Sequence, residues 1–241
     1  MGYGMMPMLL AADTEVDFSI HHLWEYQFMG QTVYITTSHV CCFIIMMTLM
    51  IFALVARSKF KKAQEIPVGF QNVIELVVET LQGFVHSSMG EHDRKYVNYI
   101  GTLFLFILFS NISGLFGLRP PTADFGTTFS LALITFVMIQ YNNFKCNKLG
   151  AITGLFQPIW FLFPINIIGE IATPVSMSLR LFGNVMAGTV MMALYYGLLP
   201  IFAKVGIPAA LHVYFDLFSG AIQAYVFSML TMVFVTQKIE G

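Results

Sequence analysis

Ser176-Met177-Ser178-Leu179-Arg180-Leu181-Phe182-Gly183-Asn184 sets an arginine inside an otherwise uncharged apolar run from Ile171 to Ala203. At a bilayer centre an arginine costs roughly 2.5–3.5 kcal/mol on insertion scales, so it faces a partner or a water-filled cavity. Thr173, Ser176, Arg180, Asn184 and Ala187 are three or four residues apart, which puts them on one helical stripe that is small, polar and cationic. The competing reading is that Arg180 snorkels to a headgroup from a helix end. Its distance from both ends of the run weakens that alternative.

Composition makes the rest of the chain a membrane protein. Of 241 residues 57% are hydrophobic and 10% charged, against about 25% charged in a typical soluble domain. The net charge of −1 means that charge must be read by position and not by sum. Cys41 and Cys42 lie adjacent in an apolar run and Cys146 stands alone, so neither a disulfide framework nor a metal spacing appears. Met1 to Ala12 is apolar without Lys or Arg, and so lacks the basic leading region of a signal peptide.

The expected fold is an all-α integral membrane protein with about five transmembrane helices and one cytoplasmic-side amphipathic helix. Residues 1–31 form an outer N-terminal segment, in which His21, His22 and Trp24 cover the outer mouth as an interfacial stretch and not a metal site. Residues 32–241 form a single polytopic domain. Its first span, about 32–56, ends in the cluster Arg57-Ser58-Lys59-Phe60-Lys61-Lys62, and no Lys or Arg precedes it. The positive-inside bias then places the N-terminus outside and the C-terminus in the cytoplasm.

Between about 67 and 89, Gln71, Glu75, Glu79, Gln82 and His86 trace a polar stripe opposite Val73, Ile74, Val77, Leu81 and Phe84. This is an amphipathic helix that lies in the cytoplasmic interface or wedges against the other helices, and Glu91-His92-Asp93-Arg94-Lys95 is the solvated turn after it. A second span (about 96–115) leads to the outer turn Arg119-Pro120-Pro121-Thr122-Ala123-Asp124, and a third (about 125–141) returns to Lys145 and Lys148. Asn111 and Ser113 read as helix-packing polar residues first and as part of a pathway second. The stretch after Gly150, with Pro158, Trp160 and Pro164, reads as a re-entrant or interfacial approach.

The last two helices, about 165–199 and 208–237, are joined by an outer loop with Lys204 and Gly206. At 1.5 Å per residue they reach ~52 Å and ~45 Å, against a hydrocarbon core of ~30 Å. A strongly tilted hairpin is the expected solution. The final helix carries His212, Asp216, Ser219 and Gln223 at steps of four, three and four, all on one side. Such a stripe faces the neighbouring helix or water, either as an ion path or as interhelical hydrogen bonding.

Leu179-Arg180-Leu181-Phe182-Gly183-Asn184, followed by Ala187-Gly188 and by Gln223-Ala224-Tyr225-Val226-Phe227 in the last helix, resembles the a subunit of bacterial F-type ATP synthases. Pro121-Thr122-Ala123-Asp124 and Pro164-Ile165-Asn166 are similar too, and the resemblance runs from the first span onward. It implies a stator in the bacterial plasma membrane that offers H⁺ or Na⁺ two offset half-channels against a ring of c subunits. The implied partners are that ring, the b-subunit peripheral stalk, the remaining ATP synthase subunits and the lipid bilayer, with no nucleic acid, no cofactor, no metal and no catalytic residue. Arg180 is the implied essential arginine. By position, Asn184, Asp216, Gln223 and Asp124 line or support the outer path, with His212 and Ser219 on the same stripe, and Ser176 and Glu170 lie near the inner path.

Three positions depart from the family pattern. Position 189 is Thr where an ionisable residue is common, 216 is Asp where His or Glu is common, and 173 is Thr where many relatives have Lys. The outer relay therefore rests on Asp216 and His212, with water filling in. Two rivals fit less well. An intramembrane enzyme using His212 and Asp216 as acid and base lacks a nucleophile motif around Ser219, and a stand-alone ion transporter lacks repeated halves.

Overall fold

A computed structural model describes residues 22–28, 31–60, 69–90, 93–148, 150, 161, 163–198 and 207–240. Met1 to Ala12, His21, Lys61, Lys62, Glu91, His92, Pro158, Trp160, Lys204 and Gly206 lie outside the described residues. The chain opens with an antiparallel hairpin of β1 (His22–Phe28) and β2 (Gln31–Thr36), in which Phe28 pairs with Gln31 and Tyr26 with Val33. The first helix therefore starts later than residue 32. Thr32-Val33-Tyr34-Ile35-Thr36 is a β-branched and aromatic run that suits a pleated strand, and α1 (Thr37–Phe60) takes over from there.

The remaining described elements are helical. They are α2 (Phe70–Met89), α3 (Asp93–Ile112), α4 (Phe125–Asn147), α5 (Phe163–Leu198), α6 (Ile207–His212), a π-helical stretch (Val213–Ser219) and α7 (Gly220–Glu240). Two 3-10 turns, Ser113–Phe116 and Pro121–Ala123, join α3 to α4. Among the described residues four stretches are long and apolar enough to cross a membrane: Thr37–Ser58, Arg94–Phe116, Phe163–Leu198 and Ala210–Ile239. The 23-residue α4 packs along α5 and α7, and its last third is made polar by Gln140, Asn142, Asn143 and Lys145. At 36 residues, α5 is about 54 Å long. Pro174 lies inside it, where it lacks the N–H that would bond the carbonyl four residues earlier.

α7 is the central post. One apolar cluster joins Leu103 and Ile107 of α3, Ala132 of α4, Met177 and Leu181 of α5, and Ala224 and Phe227 of α7. A second, toward the start of α3, joins Val85 and Met89 of α2 to Ile100, Ile139, Met232 and Val235. Lipid tails are as apolar as these side chains, so close packing and interhelical hydrogen bonds hold such a bundle together. Tyr96 donates to Asn142 Oδ1 at 2.6 Å, Tyr99 meets Thr135 at 3.0 Å, and Thr128 meets Ser178 at 3.2 Å. At the end where α4 and α7 finish, Glu170 takes Lys238 on one carboxylate oxygen and Gln140 Nε2, at 2.7 Å, on the other.

α2 is amphipathic with one difference from its sequence pattern. Ile74, Val85 and Met89 are buried against the bundle, but Val73 is 52% exposed and so lies off the packed face. Burial centres instead on positions 74, 81, 85 and 89, which follow the helical repeat more closely.

Helix α3 meets α7 where Asn111 Nδ2 donates to the Gly220 carbonyl at 2.9 Å. A Cβ added at Gly220 would fall 2.7 Å from Asn111 Cβ, a separation that forces the helices apart. Gly220→Ala is expected to destabilise the chain by about 1–3 kcal/mol, as overpacking does elsewhere. The thermal midpoint of the purified protein checks it, and an unchanged midpoint would mean that this contact is slack.

Candidate functional site

The π-helical stretch Val213–Ser219 interrupts the last long helix just where its polar residues lie. A π turn spreads five residues over one hydrogen-bonded loop and recurs at functional sites. Here His212, Asp216, Ser219 and Gln223 all line one cavity of about 360 Å³ between this helix, α5 and the 113–123 turns. Asn184 and Thr189 of α5 line the same cavity.

Within it, His212 Nδ1 and Asp216 Oδ2 are 2.8 Å apart. The ring and the carboxylate are each only part-buried, so both remain accessible from the cavity. Tyr196 of α5 reaches His212 Nε2 from the other side at 3.5 Å, a long contact. A Cβ added at Gly114 would lie 3.2 Å from Asp216 Cγ. Glycine thus lets the 3-10 turn close directly over the carboxylate.

Deeper along α7, Gln223 is 3% exposed. Its Oε1 accepts from Asn184 Nδ2, which orients the amide and leaves buried Nε2 with no protein acceptor. A buried donor of this kind costs about 1–3 kcal/mol unless water or an ion's hydration shell satisfies it. The polar groups thus run from His212 and Asp216 to the Asn184–Gln223 pair. Arg180 lies one turn of α5 before Asn184. It is exposed, together with Ser176, Gly183, Asn184 and Ala187, and makes no hydrogen bond or ion pair among the described residues.

Five of the residues singled out from sequence are therefore gathered at the cavity: Asn184, His212, Asp216, Ser219 and Gln223. Four are elsewhere, Arg180 among them on the exposed face of α5. Asp124 precedes α4, where its carbonyl accepts from Thr128 N at 3.2 Å. Ser176 is on the exposed face with Arg180. Glu170 is held by Lys238 and Gln140.

Arg119 and Gly114 also line the cavity although the sequence does not single them out for it, and Asn111, for which the sequence favours packing over a pathway, lines it too. Asn111 does both, since it also accepts from Thr122 Oγ1 at 2.7 Å. Its place in the order Asn111-Ile112-Ser113-Gly114, small and polar just before a glycine, was the available signal.

Among known proteins, a family model described as ATP synthase A chain matches residues 39–236. The sodium ion specific ATP synthase subunit a of Propionigenium modestum is 39% identical over 214 residues, covering 82% of this chain and 71% of that one. ATP synthase subunit a of Desulforamulus reducens is 41% identical over 177 residues, 71% of this chain and 68% of its own. The chloroplastic subunit a of Oedogonium cardiacum is 35% identical over 242 residues, with 94% and 90% covered.

Proposed function

This chain belongs to the ATP synthase A chain family, and from that premise we propose that its exposed Arg180 face and its Asp216 cavity are two parts of one ion-transfer surface. The chain is the stator ion-channel subunit of an ATP synthase, a multi-pass membrane protein that is itself non-catalytic. In our reading the c-ring rolls against the α5 face that carries Ser176, Arg180, Gly183, Asn184 and Ala187. The b-subunit stalk keeps the chain from turning with it. The N-terminus is outside, the C-terminus is cytoplasmic, and the membrane is the bacterial plasma membrane.

A rotor carboxylate that crosses lipid must be neutralised by H⁺ or Na⁺, because a bare carboxylate there is strongly disfavoured. Beside a fixed guanidinium the ionised form is favoured instead, so the carboxylate gives up its ion there. Arginine suits this task because it stays charged where lysine can be neutralised by desolvation. H⁺ or Na⁺ from outside then reaches the emptied carboxylate through Asp216, His212, Ser219 and the Asn184–Gln223 pair. Ser176 and Glu170 lie toward the other exit, and Asp124 supports the outer turn. Each charge moved supplies about 2.3 kcal/mol per 100 mV, so several ions are needed for each ATP.

The observation that carries this reading is an exposed arginine, without a partner among the described residues, one helical turn from a polar cavity. In a bilayer such a group needs a partner, and the α5 face around it is smooth enough to let one slide. The same picture has α5 and the 30-residue Ala210–Ile239 span lying steeply tilted, because both exceed a ~30 Å core.

Disulfide trapping tests the face. With Cys41, Cys42 and Cys146 replaced by serine, Ala187→Cys is expected to cross-link to a cysteine placed next to the rotor carboxylate. Leu133→Cys, exposed on α4, is not. The reverse pattern would move the rotor to another side of the bundle.

A further inference from the structure

A second cavity, about 560 Å³, lies between α2 and the start of α3. Glu79, Gln82, Gly83 and His86 line it from α2, and Arg94 and Asn98 from α3. Glu79 and Arg94 are both exposed, and among the described residues neither has an ion-pair or hydrogen-bond partner. An acid and a base thus share one groove without closing on each other. Gly83 lines the same groove one turn of α2 after Glu79, and a Cβ added there meets nothing within 4 Å. Room is left for something else. Running back from Glu79 along the exposed side of α2 in steps of three residues stand Leu76 and Val73, 62% and 52% exposed.

We propose that this groove holds the headgroup of a phosphatidylethanolamine lipid, with its phosphate on Arg94, its ammonium on Glu79 and an acyl chain along Leu76 and Val73. Opposite charges in one groove match a zwitterion. An anionic headgroup satisfies Arg94 but sets its phosphate against the Glu79 carboxylate, where like charges repel. A choline headgroup has the right charges but no N–H, whereas a primary ammonium offers three donors. Gln82 and Asn98 add neutral donors for the phosphate ester oxygens. Pockets between helices at a membrane surface hold lipid headgroups, and the proposal rests on the α2–α3 turn lying at a membrane surface, which the proposed topology makes the cytoplasmic one.

The test uses the whole complex, reconstituted in phosphatidylcholine vesicles with a phosphatidylethanolamine that carries a diazirine near the glycerol. Illumination is expected to label α2 around Leu76, and the phosphatidylglycerol counterpart to label it about tenfold less, the worth of one charge-assisted hydrogen bond. Glu79→Gln should remove that preference, and Arg94→Gln should lower labelling by both lipids. Gly83→Leu should fill the groove and abolish labelling, with assembly and pumping intact, because a Cβ at this position meets nothing within 4 Å and the rest of the side chain extends into the open groove.

Equal labelling by the two lipids in the unmodified complex would overturn the proposal. So would full labelling in Gly83→Leu or, if that variant does not assemble, unchanged preference in Glu79→Gln. Competition by soluble phosphoethanolamine would assign the groove to a free zwitterion and also overturn it. The orientation is checked apart, on exposed Cys146, which lies at the same end of the bundle because Tyr96 bonds Asn142. A membrane-impermeant maleimide that reached Cys146 from outside would reverse the topology while leaving the lipid result intact.

Discussion

Arg180→Ala is expected to abolish ATP-driven ion pumping and ATP synthesis while leaving the complex assembled. The guanidinium is exposed and bonded to no described residue, so its removal breaks no hydrogen bond or ion pair among the described residues. Alanine is the best helix former, and the membrane-insertion cost of the charge disappears. What is lost is the only cation on the α5 face between Ile171 and Leu198. Without it nothing favours ion release from a rotor carboxylate, and nothing stops a still-occupied site from slipping between the two half-channels. Arg180→Lys should fail largely as well, because an ammonium is compact, strongly hydrated and able to lose its proton when desolvated.

The second large effect belongs to Asp216. Asp216→Asn keeps the size of the side chain, so the close approach of Gly114 is undisturbed. The amide neither ionises nor exchanges a proton with His212, and the 2.8 Å pair becomes a fixed hydrogen bond. Ion uptake from the outer side is expected to fall by about 10²-fold, the low end of what a positioned acid–base group contributes. Passive flux through the membrane sector, measured from about pH 6 to pH 9 so as to span the ordinary imidazole range, reads this directly. Flux unchanged over that range would make water alone the conductor and Asp216 a packing residue.

Much of this arrangement is legible in the chain, for a physical reason. In a membrane segment polar residues are few and each must face something, so a stripe at helical spacing names both the residues and their side. His212, Asp216, Ser219 and Gln223 follow that rule, as do Arg180 and Asn184. Contacts set by backbone detail escape it. Spacing read as α-helical hides the π winding of Val213–Ser219, since the hydrophobic pattern of flanking residues such as Tyr214 and Phe218 fits either winding. The Glu170–Lys238 pair is separated by 68 residues, and no local pattern announces it. The hairpin of β1 and β2 was hidden because Thr32 to Thr36 is apolar enough to pass for the start of a span. Arg119 was read as part of a proline turn, whereas the turn folds back to line the cavity.

The account's central claim is that the Arg180 charge couples ion flow to rotation, and one paired measurement tests it. Vesicles carrying equal amounts of assembled unmodified or Arg180→Ala complex are assayed for ATP-driven ion pumping. The same vesicles, stripped of the catalytic sector, are assayed for passive flux driven by a valinomycin potential. The account predicts that Arg180→Ala eliminates pumping while passive flux persists or rises. Pumping by Arg180→Ala at or near the unmodified rate would contradict it.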